Sequence, residues 1–208
     1  MFTGLIETIG TIESVSTLSH NERQFSIVSP YNNVTEGESI AINGVCLTVM
    51  EFSDKHFKVY ASEETLQRTN LAILQSQDKV NLERSLRLDS FVGGHLVMGH
   101  VDETTNIISL TPQGESIDAE FLLTEKIRNI VIEKGSISIN GVSLTINAVS
   151  SKSFHVNLIP TTRKKTTFNF SKIGDVVNIE IDVITRYVHG ILKSSVIPAK
   201  TGSPTSRA

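Results

Sequence analysis

The stretch SIAINGVCLT at residues 39–48 returns as SISINGVSLT at residues 136–145. Eight of the ten positions are identical, and one of the two differences replaces Cys46 with Ser143. A match this long within one chain is the mark of an internal duplication, which must be identified before any fold is assigned. The two copies therefore predict two similar structural units that differ at a chemically reactive position.

The duplication extends along most of the chain at a nearly constant spacing. DKVNLE at 78–83 recurs as DVVNIE at 175–180, which is 175 − 78 = 97 residues later. Near the start, GLIE at 4–7 aligns with GHVD at 99–102, a spacing of 99 − 4 = 95. Solenoid repeats have periods of roughly 20–50 residues, so this longer period indicates a tandem pair of small domains.

The repeat divides the chain into three predicted parts. The first copy is assigned to residues 1–90 and the second to residues 91–186, with Gly93-Gly94 as the loosest point of the linker. Residues 187–208 contain the remainder of a C-terminal helix that starts near 183, followed by a tail, TGSPTSRA. The composition of that tail is typical of disordered segments.

Each copy consists mostly of short strand-like segments. TIGTIESVS, QFSIVS, CLTVMEF and HFKVYA are rich in Ile, Val, Thr and Phe and roughly alternate apolar with polar residues. Asn43-Gly44 is a strong signal for a two-residue turn between strands. Six such segments per copy predict an all-β fold of two tandem, similar six-stranded Greek-key β-barrels with a C-terminal α-helix.

Helices are predicted at a few places only. One short helix is expected at 31–36 and another at 124–132 with Thr124 as its N-cap, while 63–68 is expected to form a turn. A longer helix at about 183–194 carries an apolar stripe at helical spacing. The stripe is Ile184, Tyr187, Val188, Ile191 and Leu192. It either packs on its own barrel or meets the same helix of other subunits.

Composition excludes several functional classes. The chain has 208 residues, a net charge of −3 and one cysteine. The balanced charge gives no reason to expect binding to nucleic acid or to an anionic membrane, and no apolar run reaches the roughly 18 residues of a membrane span. A lone cysteine forms neither an internal disulfide nor a zinc cluster. We therefore expect a soluble cytoplasmic protein without signal peptide, metal or nucleotide-type cofactor.

Two duplicated barrels predict two similar pockets that bind similar ligands, as in an enzyme that uses two copies of one substrate. Where the two repeats differ, the aligned residues are chemically unlike: Cys46 is aligned with Ser143, and Leu5 is aligned with His100. A hydroxyl at Ser143 in an apolar strand needs a hydrogen-bond partner. His95 occurs with His100 in the second copy only.

Several repeated residues also have a purely structural interpretation. Thr48 and Thr145 are good strand residues, and Asn43 and Asn140 suit the turns in which they stand. Cys46 fits equally well as a small buried apolar residue. Residue types alone leave these alternatives open.

MFTGLIE at the N-terminus, GGHLVMGHVD at 93–102 and the paired INGVxLT segments resemble the riboflavin synthase family, alpha-type chain, over about residues 1–190. The resemblance implies a homotrimer held together by C-terminal helices, with a working site between the first barrel of one subunit and the second barrel of a neighbour. It implies a dismutation, the last step of riboflavin biosynthesis. Two molecules of 6,7-dimethyl-8-ribityllumazine exchange a four-carbon unit and give riboflavin and 5-amino-6-ribitylamino-2,4-pyrimidinedione, without cofactor or metal.

The implied chemistry has a simple physical basis. The lumazine ring is electron-poor, so its C7 methyl group loses a proton to a modest base, and the second molecule is attacked at C7 by water or a ribityl hydroxyl. Holding the two rings face to face provides up to roughly 7–11 kcal/mol of the barrier lowering. Positioned proton transfer adds on the order of 10²–10⁴-fold. Which barrel binds the donor stays open.

The resemblance also assigns site residues. The catalytic assignments are Cys46, His100 and Ser143, with His100 as the proton carrier because histidine exchanges protons readily near neutral pH. Phe2 is expected to help close the pocket. The first pocket is assigned Gly4, Leu5, Ile6, Cys46, Leu47, Thr48, Tyr60, Ala61, Ser62, Glu63, Glu64 and Thr65. The second pocket is assigned Gly99, His100, Val101, Lys134, Ser143, Leu144, Thr145, Asn157, Leu158, Ile159, Pro160, Thr161 and Thr162.

Two other protein classes compete with the enzyme. Lumazine and yellow fluorescent proteins share the duplicated fold but only bind a chromophore, and their second pocket has decayed. Here the second copy keeps GH at 99–100, SLT at 143–145 and IPTT at 159–162, which favours the enzyme. A flavin reductase barrel would need a nucleotide-binding domain, for which the chain has no room.

Overall fold

The computed structural model of the chain describes residues 1–195, and the predicted disordered tail, TGSPTSRA, lies outside the described residues. Two closed antiparallel barrels of six strands each follow one another along the chain. The first barrel contains β1 Thr8–Thr17, β2 Arg23–Val28, β3 Ser39–Ile42, β4 Val45–Ser53, β5 His56–Ala61 and β6 Lys79–Arg84. The second contains β7 Glu103–Gln113, β8 Ser116–Leu122, β9 Ser136–Ile139, β10 Val142–Val149, β11 Ser153–Leu158 and β12 Val176–Ile181.

The two barrels share one topology. The first closes in the order β1-β2-β5-β4-β3-β6, and the second follows the same order with the equivalent strands. Each barrel encloses its own apolar core, in which Phe25 and Phe57 lie in the first and the stacked rings of Phe121 and Phe154 lie in the second. The predicted all-β fold of two similar barrels is confirmed.

The short helices differ from those predicted. Residues 31–36 form no helix, because Asn33 adopts a left-handed φ of 60° that interrupts any helical run. Residues 124–132 form hydrogen-bonded turns, with Ile127 and Val131 buried against the barrel. The β-branched run that ends this segment disfavours a continuous helix.

Instead, one short helix follows the fifth strand of each barrel. The first, α1 Glu63–Arg68, replaces the predicted turn, and its N-cap Ser62 accepts a hydrogen bond from the backbone N–H of Thr65 at 3.3 Å. The second, α2 Pro160–Lys165, is its counterpart in the second barrel. Proline at the first helical turn suits the start of such a helix.

The C-terminal helix is confirmed as α3 Val183–Ser195. Its apolar stripe does not pack on its own barrel, because all five stripe residues are between 51% and 69% exposed. An apolar helix face of this kind indicates an interaction surface. Within residues 1–195, no helix is long and apolar enough to cross a membrane.

A buried asparagine cluster joins the two barrels. The side chains of Asn43 and Asn140 each accept a hydrogen bond at 2.8 Å from the backbone N–H of an asparagine in the last strand of their own barrel, Asn81 and Asn178 respectively. The amide of Asn178 donates to the backbone carbonyl of Asn43 at 2.8 Å, and that of Asn81 donates to the carbonyl of Asn140 at 2.9 Å. The turn asparagines therefore also fix the relative orientation of the barrels.

The two Asn-Gly turns pack back to back at this junction. Gly44 has a φ of 79°, and a Cβ atom added to it would lie 2.6 Å from the backbone nitrogen of Gly141. Only glycine permits both this backbone conformation and this close approach. The repeated Asn-Gly pair thus serves the barrel junction as well as each hairpin.

Candidate functional site

The segment that precedes each barrel crosses to the other barrel. We define these lead-in segments as residues 1–6 and 96–101. They pair antiparallel at the barrel junction, where the N–H of Phe2 donates to the carbonyl of Val97 at 2.7 Å and the N–H of Val97 donates back at 3.0 Å. The Phe2 side chain is fully buried in this pair. The paired lead-in segments therefore lie between the two barrels and contact both.

A glycine in each lead-in segment lies directly on the Cys/Ser position of the opposite barrel. The backbone N–H of Ser143 donates to the carbonyl of Gly4 at 2.8 Å, and that of Cys46 donates to the carbonyl of Gly99 at 3.0 Å. Both glycines have a φ near 75°, and added Cβ atoms would lie 2.5 Å from Cβ of Ser143 and 2.4 Å from Cβ of Cys46. No other residue fits these two places.

Two buried glutamates hold the lead-in segments in place. Glu83 accepts hydrogen bonds from the backbone N–H groups of Gly4 at 3.1 Å and of the preceding residue at 2.6 Å. Glu180 does the same for Gly99 at 2.9 Å and for the residue before it at 2.7 Å. Burial raises the pKa of both carboxyl groups. Because burial disfavours the charged form, protonation of these carboxyl groups stabilises the folded protein at low pH, and this stabilisation is lost as pH rises above the ordinary carboxyl range.

Two adjoining cavities meet at Cys46 of the first barrel, and the larger one is also lined by residues of the second copy. One has a volume of about 390 Å³ and contains Thr48 and Tyr60, and the other has a volume of about 480 Å³ and contains His100. Cys46 and Thr65 line both cavities. Their combined size is suited to a bound small molecule.

The structure groups the predicted residues differently from the sequence. The sequence assigns Gly4, Leu5 and Ile6 to the first pocket and Gly99, His100 and Val101 to the second, whereas the structure places Gly4 on Ser143 of the second barrel and Gly99 on Cys46 of the first. Ile6 packs against the core of the second barrel and Val101 against that of the first. The reason is the antiparallel pairing of the lead-in segments, which sends each one across the junction. The assignment of these residues to substrate contacts stays a prediction.

The remaining first-pocket residues lie around the two cavities with two exceptions. The cavities are lined by Cys46, Leu47, Thr48, Tyr60, Ser62, Glu64 and Thr65. Ala61 is fully buried and belongs to the barrel core, and Glu63 lies exposed at the start of α1.

The predicted residues of the second barrel follow the same plan. Ser143, Leu144 and Thr145 lie on β10, where Ser143 is half-buried, Leu144 is buried and Thr145 is exposed. Asn157 and Leu158 end β11, and residues 159–162 lead into α2. The side-chain oxygen of Asn157 is buried and has no hydrogen-bond partner among the described residues, which makes it available to a donor from a ligand. Lys134 lies in the turn before β9 with its side chain exposed.

Sequence reasoning missed the charged side of the first-barrel cavity. Arg186, in the first turns of α3, pairs with Asp102 at 2.7 Å and donates to the backbone carbonyl of His100 at 3.3 Å. Arg68 and Lys126 line the same cavity. Arg186 lies in a helix that has no counterpart in the first repeat, so alignment of the two repeats does not identify it.

Replacing Gly99 with alanine is expected to slow the reaction that the family resemblance implies by on the order of tenfold, because the new Cβ atom displaces the lead-in segment from Cys46. Gly114 is a matched control, since its φ of 59° is also left-handed but nothing lies within 4 Å of an added Cβ atom. Both variants bear the backbone strain, and only Gly99→Ala bears the clash. Equal rates for the two variants would show that the seating of Gly99 on Cys46 has no functional role.

Comparison with protein families identifies both halves of the chain. The Lumazine binding domain family matches residues 3–85 and again residues 98–182. Among curated proteins, the chain is 40% identical over 197 residues to riboflavin synthase of Actinobacillus pleuropneumoniae, covering 92% of this chain and 90% of that protein. It is 37% identical over 196 residues to riboflavin synthase of Bacillus subtilis, strain 168, with coverages of 92% and 90%.

Among solved structures, the fold is similar to that of LumP complexed with riboflavin. The TM-score is 0.81 at 22% sequence identity, with 87% of this chain and 99% of that chain covered. At that identity the likeness concerns the fold alone. Both lines of comparison agree with the duplicated barrel described above.

Proposed function

The chain belongs to the riboflavin synthase family of lumazine-binding proteins, and we propose that it forms riboflavin from two molecules of 6,7-dimethyl-8-ribityllumazine. A four-carbon unit passes from one molecule to the other, and 5-amino-6-ribitylamino-2,4-pyrimidinedione is the second product. The enzyme is therefore a transferase. The observation that carries this proposal is the presence of two related sites. In one, Gly99 of a lead-in segment lies on Cys46, and in the other Gly4 lies on Ser143. Two such sites suit two molecules of one substrate.

The two ligands are proposed to meet across copies of the chain. The paired lead-in segments lie between Cys46 and Ser143, with Phe2 and Val97 buried against Cys46, so we infer that the two sites of one chain do not meet. The exposed stripe of α3 supplies a surface through which copies associate. We infer a homotrimer in which the first barrel of one chain faces the second barrel of the next, as the family resemblance implies, since head-to-tail contacts generate a ring when the rotation between chains closes.

The protein contributes mainly by orientation. Two planar rings held in contact gain up to roughly 7–11 kcal/mol relative to a free encounter. In the first-barrel site the imidazole of His100 and the polarisable sulfur of Cys46 line one cavity. Thr48 and Thr145 present hydroxyl groups for the ribityl chains, and Asn157 has an oxygen free to accept from one of them.

This chemistry needs no metal or redox cofactor, since the carbon fragment and the electrons both come from the substrate. We also propose that the protein works in the cytoplasm and binds neither nucleic acid nor membranes, in keeping with its net charge of −3 and its single cysteine.

The test is to mix the purified protein with 6,7-dimethyl-8-ribityllumazine in the presence of a chelator and to follow riboflavin by absorbance. We expect two lumazine molecules to be consumed for each riboflavin and each pyrimidinedione formed. A stable complex with the lumazine and no riboflavin would instead identify the chain as a chromophore-binding protein.

A further inference from the structure

The two histidines of the inter-barrel segment reach opposite barrels. His100 lines the first-barrel cavity with Cys46. His95, five residues earlier, places its Nδ1 atom 2.7 Å from the Oγ atom of Ser143 in the second barrel. The distance is that of a strong hydrogen bond. The serine at the duplicated position therefore has an imidazole bonded to it.

The contact between His95 and Ser143 is fixed by the backbone on either side. The N–H of His95 donates to the carbonyl of Thr3 at 3.2 Å. A Cβ atom on Gly94 would lie 2.2 Å from that carbonyl oxygen and 2.8 Å from Oγ of Ser143. The glycine predicted as the loosest point of the linker is thus in close contact with the site, and the contact requires a residue without a side chain.

The surroundings of His95 favour its neutral form. Burial lowers the pKa of the imidazole, and the carboxylate of Asp182 opposes this effect to a smaller extent. Among the described residues, Asp182 is the ionisable group whose charge acts on His95. A neutral imidazole has one ring nitrogen free to accept a proton. The pair Ser143–His95 has the arrangement in which a hydroxyl is backed by a base.

We propose that His95 is a positioning residue for Ser143, orienting its hydroxyl group and accepting its proton, so that the pair deprotonates the ligand of the second barrel. This proposal rests on the function proposed above. Oγ of Ser143 takes a proton from the C7 methyl group of a bound lumazine while its own proton passes to Nδ1 of His95. The electron pair stays on the former methyl carbon and is delocalised into the ring. The imidazolium later returns the proton through Ser143 to the nitrogen of the departing pyrimidinedione.

The test compares two replacements of His95. Asparagine places an amide near the position of Nδ1, so His95→Asn can keep the hydrogen bond to Ser143 but cannot accept a proton. His95→Ala loses both. The control is His20→Asn, because His20 is exposed on a surface turn with a φ of 58°, where asparagine is well tolerated.

We expect kcat to fall by about 10²-fold in both His95 variants with little change in KM, since proton transfer and not binding is lost. In the parental protein, kcat falls as acidification protonates His95, and this acid limb disappears in His95→Asn. The double variant Ser143→Ala with His95→Asn will be no slower than Ser143→Ala alone. His20→Asn will match the parental protein.

A second measurement follows exchange of the C7 methyl protons of bound lumazine with D₂O by NMR. The parental protein will accelerate this exchange and His95→Asn will not. Parental turnover in His95→Asn, or a slow variant that keeps the acid limb, would overturn the role of His95 in proton acceptance. Failure of the parental protein to form riboflavin would overturn the proposed function, while the exchange measurement would still decide the role of His95.

Discussion

Replacing Val188 with glutamate is expected to separate the chains that we propose to associate through α3, and thereby to slow riboflavin formation strongly. Val188 lies in the exposed apolar stripe of α3 and is 51% exposed in the single chain. Association would bury the new carboxylate among apolar side chains, at a cost of several kcal/mol. Since the working site is proposed to need two copies, separated chains hold only half of it. We expect a rate loss of at least ~10³-fold, which is well within what the loss of proximity between two reactants costs.

Sedimentation velocity and the riboflavin assay on the same samples measure this effect. His189→Glu is the matched control, because it places the same charge on the adjacent residue, outside the stripe. The control is expected to remain assembled and active. A Val188→Glu protein that sediments as a single chain and retains the parental rate would refute the requirement for neighbouring copies.

Replacing Asn178 with alanine will have the largest effect on stability. The Asn178 amide donates to the carbonyl of Asn43 at 2.8 Å and to the side chain of Asn70 at 2.9 Å, and its oxygen accepts from the backbone N–H of Asn70 at 2.7 Å. Asn178 is 1% exposed. In the alanine variant its buried partners therefore lose their hydrogen bonds, and water cannot reach them to replace these bonds. Each orphaned polar group costs about 1–3 kcal/mol, so we expect the free energy of unfolding to fall by about 3–5 kcal/mol.

Urea denaturation measures this loss, with Asn106→Ala as the control. Asn106 donates to the carbonyl of Gly174 at 3.1 Å at an exposed site, where water replaces the lost partner. The control is expected to lose less than about 1 kcal/mol. Equal losses in the two variants would mean that the asparagine cluster contributes no more than an ordinary surface hydrogen bond.

The fold was predictable because its main signals are local and occur twice. Alternation of apolar and polar residues within each copy defines the strands, and Asn43-Gly44 marks a hairpin turn in the first. The short helices were less accessible, since α1 depends on one capping bond from Ser62 while the segment at 124–132 is held as turns by burial of Ile127. Local propensity does not report such tertiary contacts.

The assembly of the site was less predictable, because it depends on contacts between the two barrels of one chain. The repeat aligns Gly4 with Gly99 and Cys46 with Ser143, but it does not show that each glycine crosses to the opposite barrel. Glu83 and Glu180, which end the repeated segments VNLE and VNIE, were a usable signal for these contacts. A buried carboxylate needs hydrogen-bond donors, and the lead-in segments supply them. Nothing in the spacing indicated that His95 would bond Ser143, since the contact joins residues 48 positions apart.

These contacts give a chemical reason for the difference between Cys46 in the first repeat and Ser143 in the second. Ser143 has an imidazole at hydrogen-bond distance, whereas Cys46 shares a cavity with His100. Each site has a glycine carbonyl bonded to the Cys46 or Ser143 backbone, but the side chains differ in their proton chemistry, which suits a reaction in which two identical molecules play different roles.

Mixing two inactive variants tests most directly whether the working site spans two copies. Thr48→Trp fills the first-barrel site and Thr145→Trp fills the second, both at exposed strand positions that tolerate a large side chain. Each variant alone is expected to be inactive. After the two are dissociated, mixed and reassembled, some neighbouring copies will combine an intact first barrel with an intact second barrel, and about one quarter of the parental activity will return. A mixture that associates but stays inactive would contradict a site shared between copies.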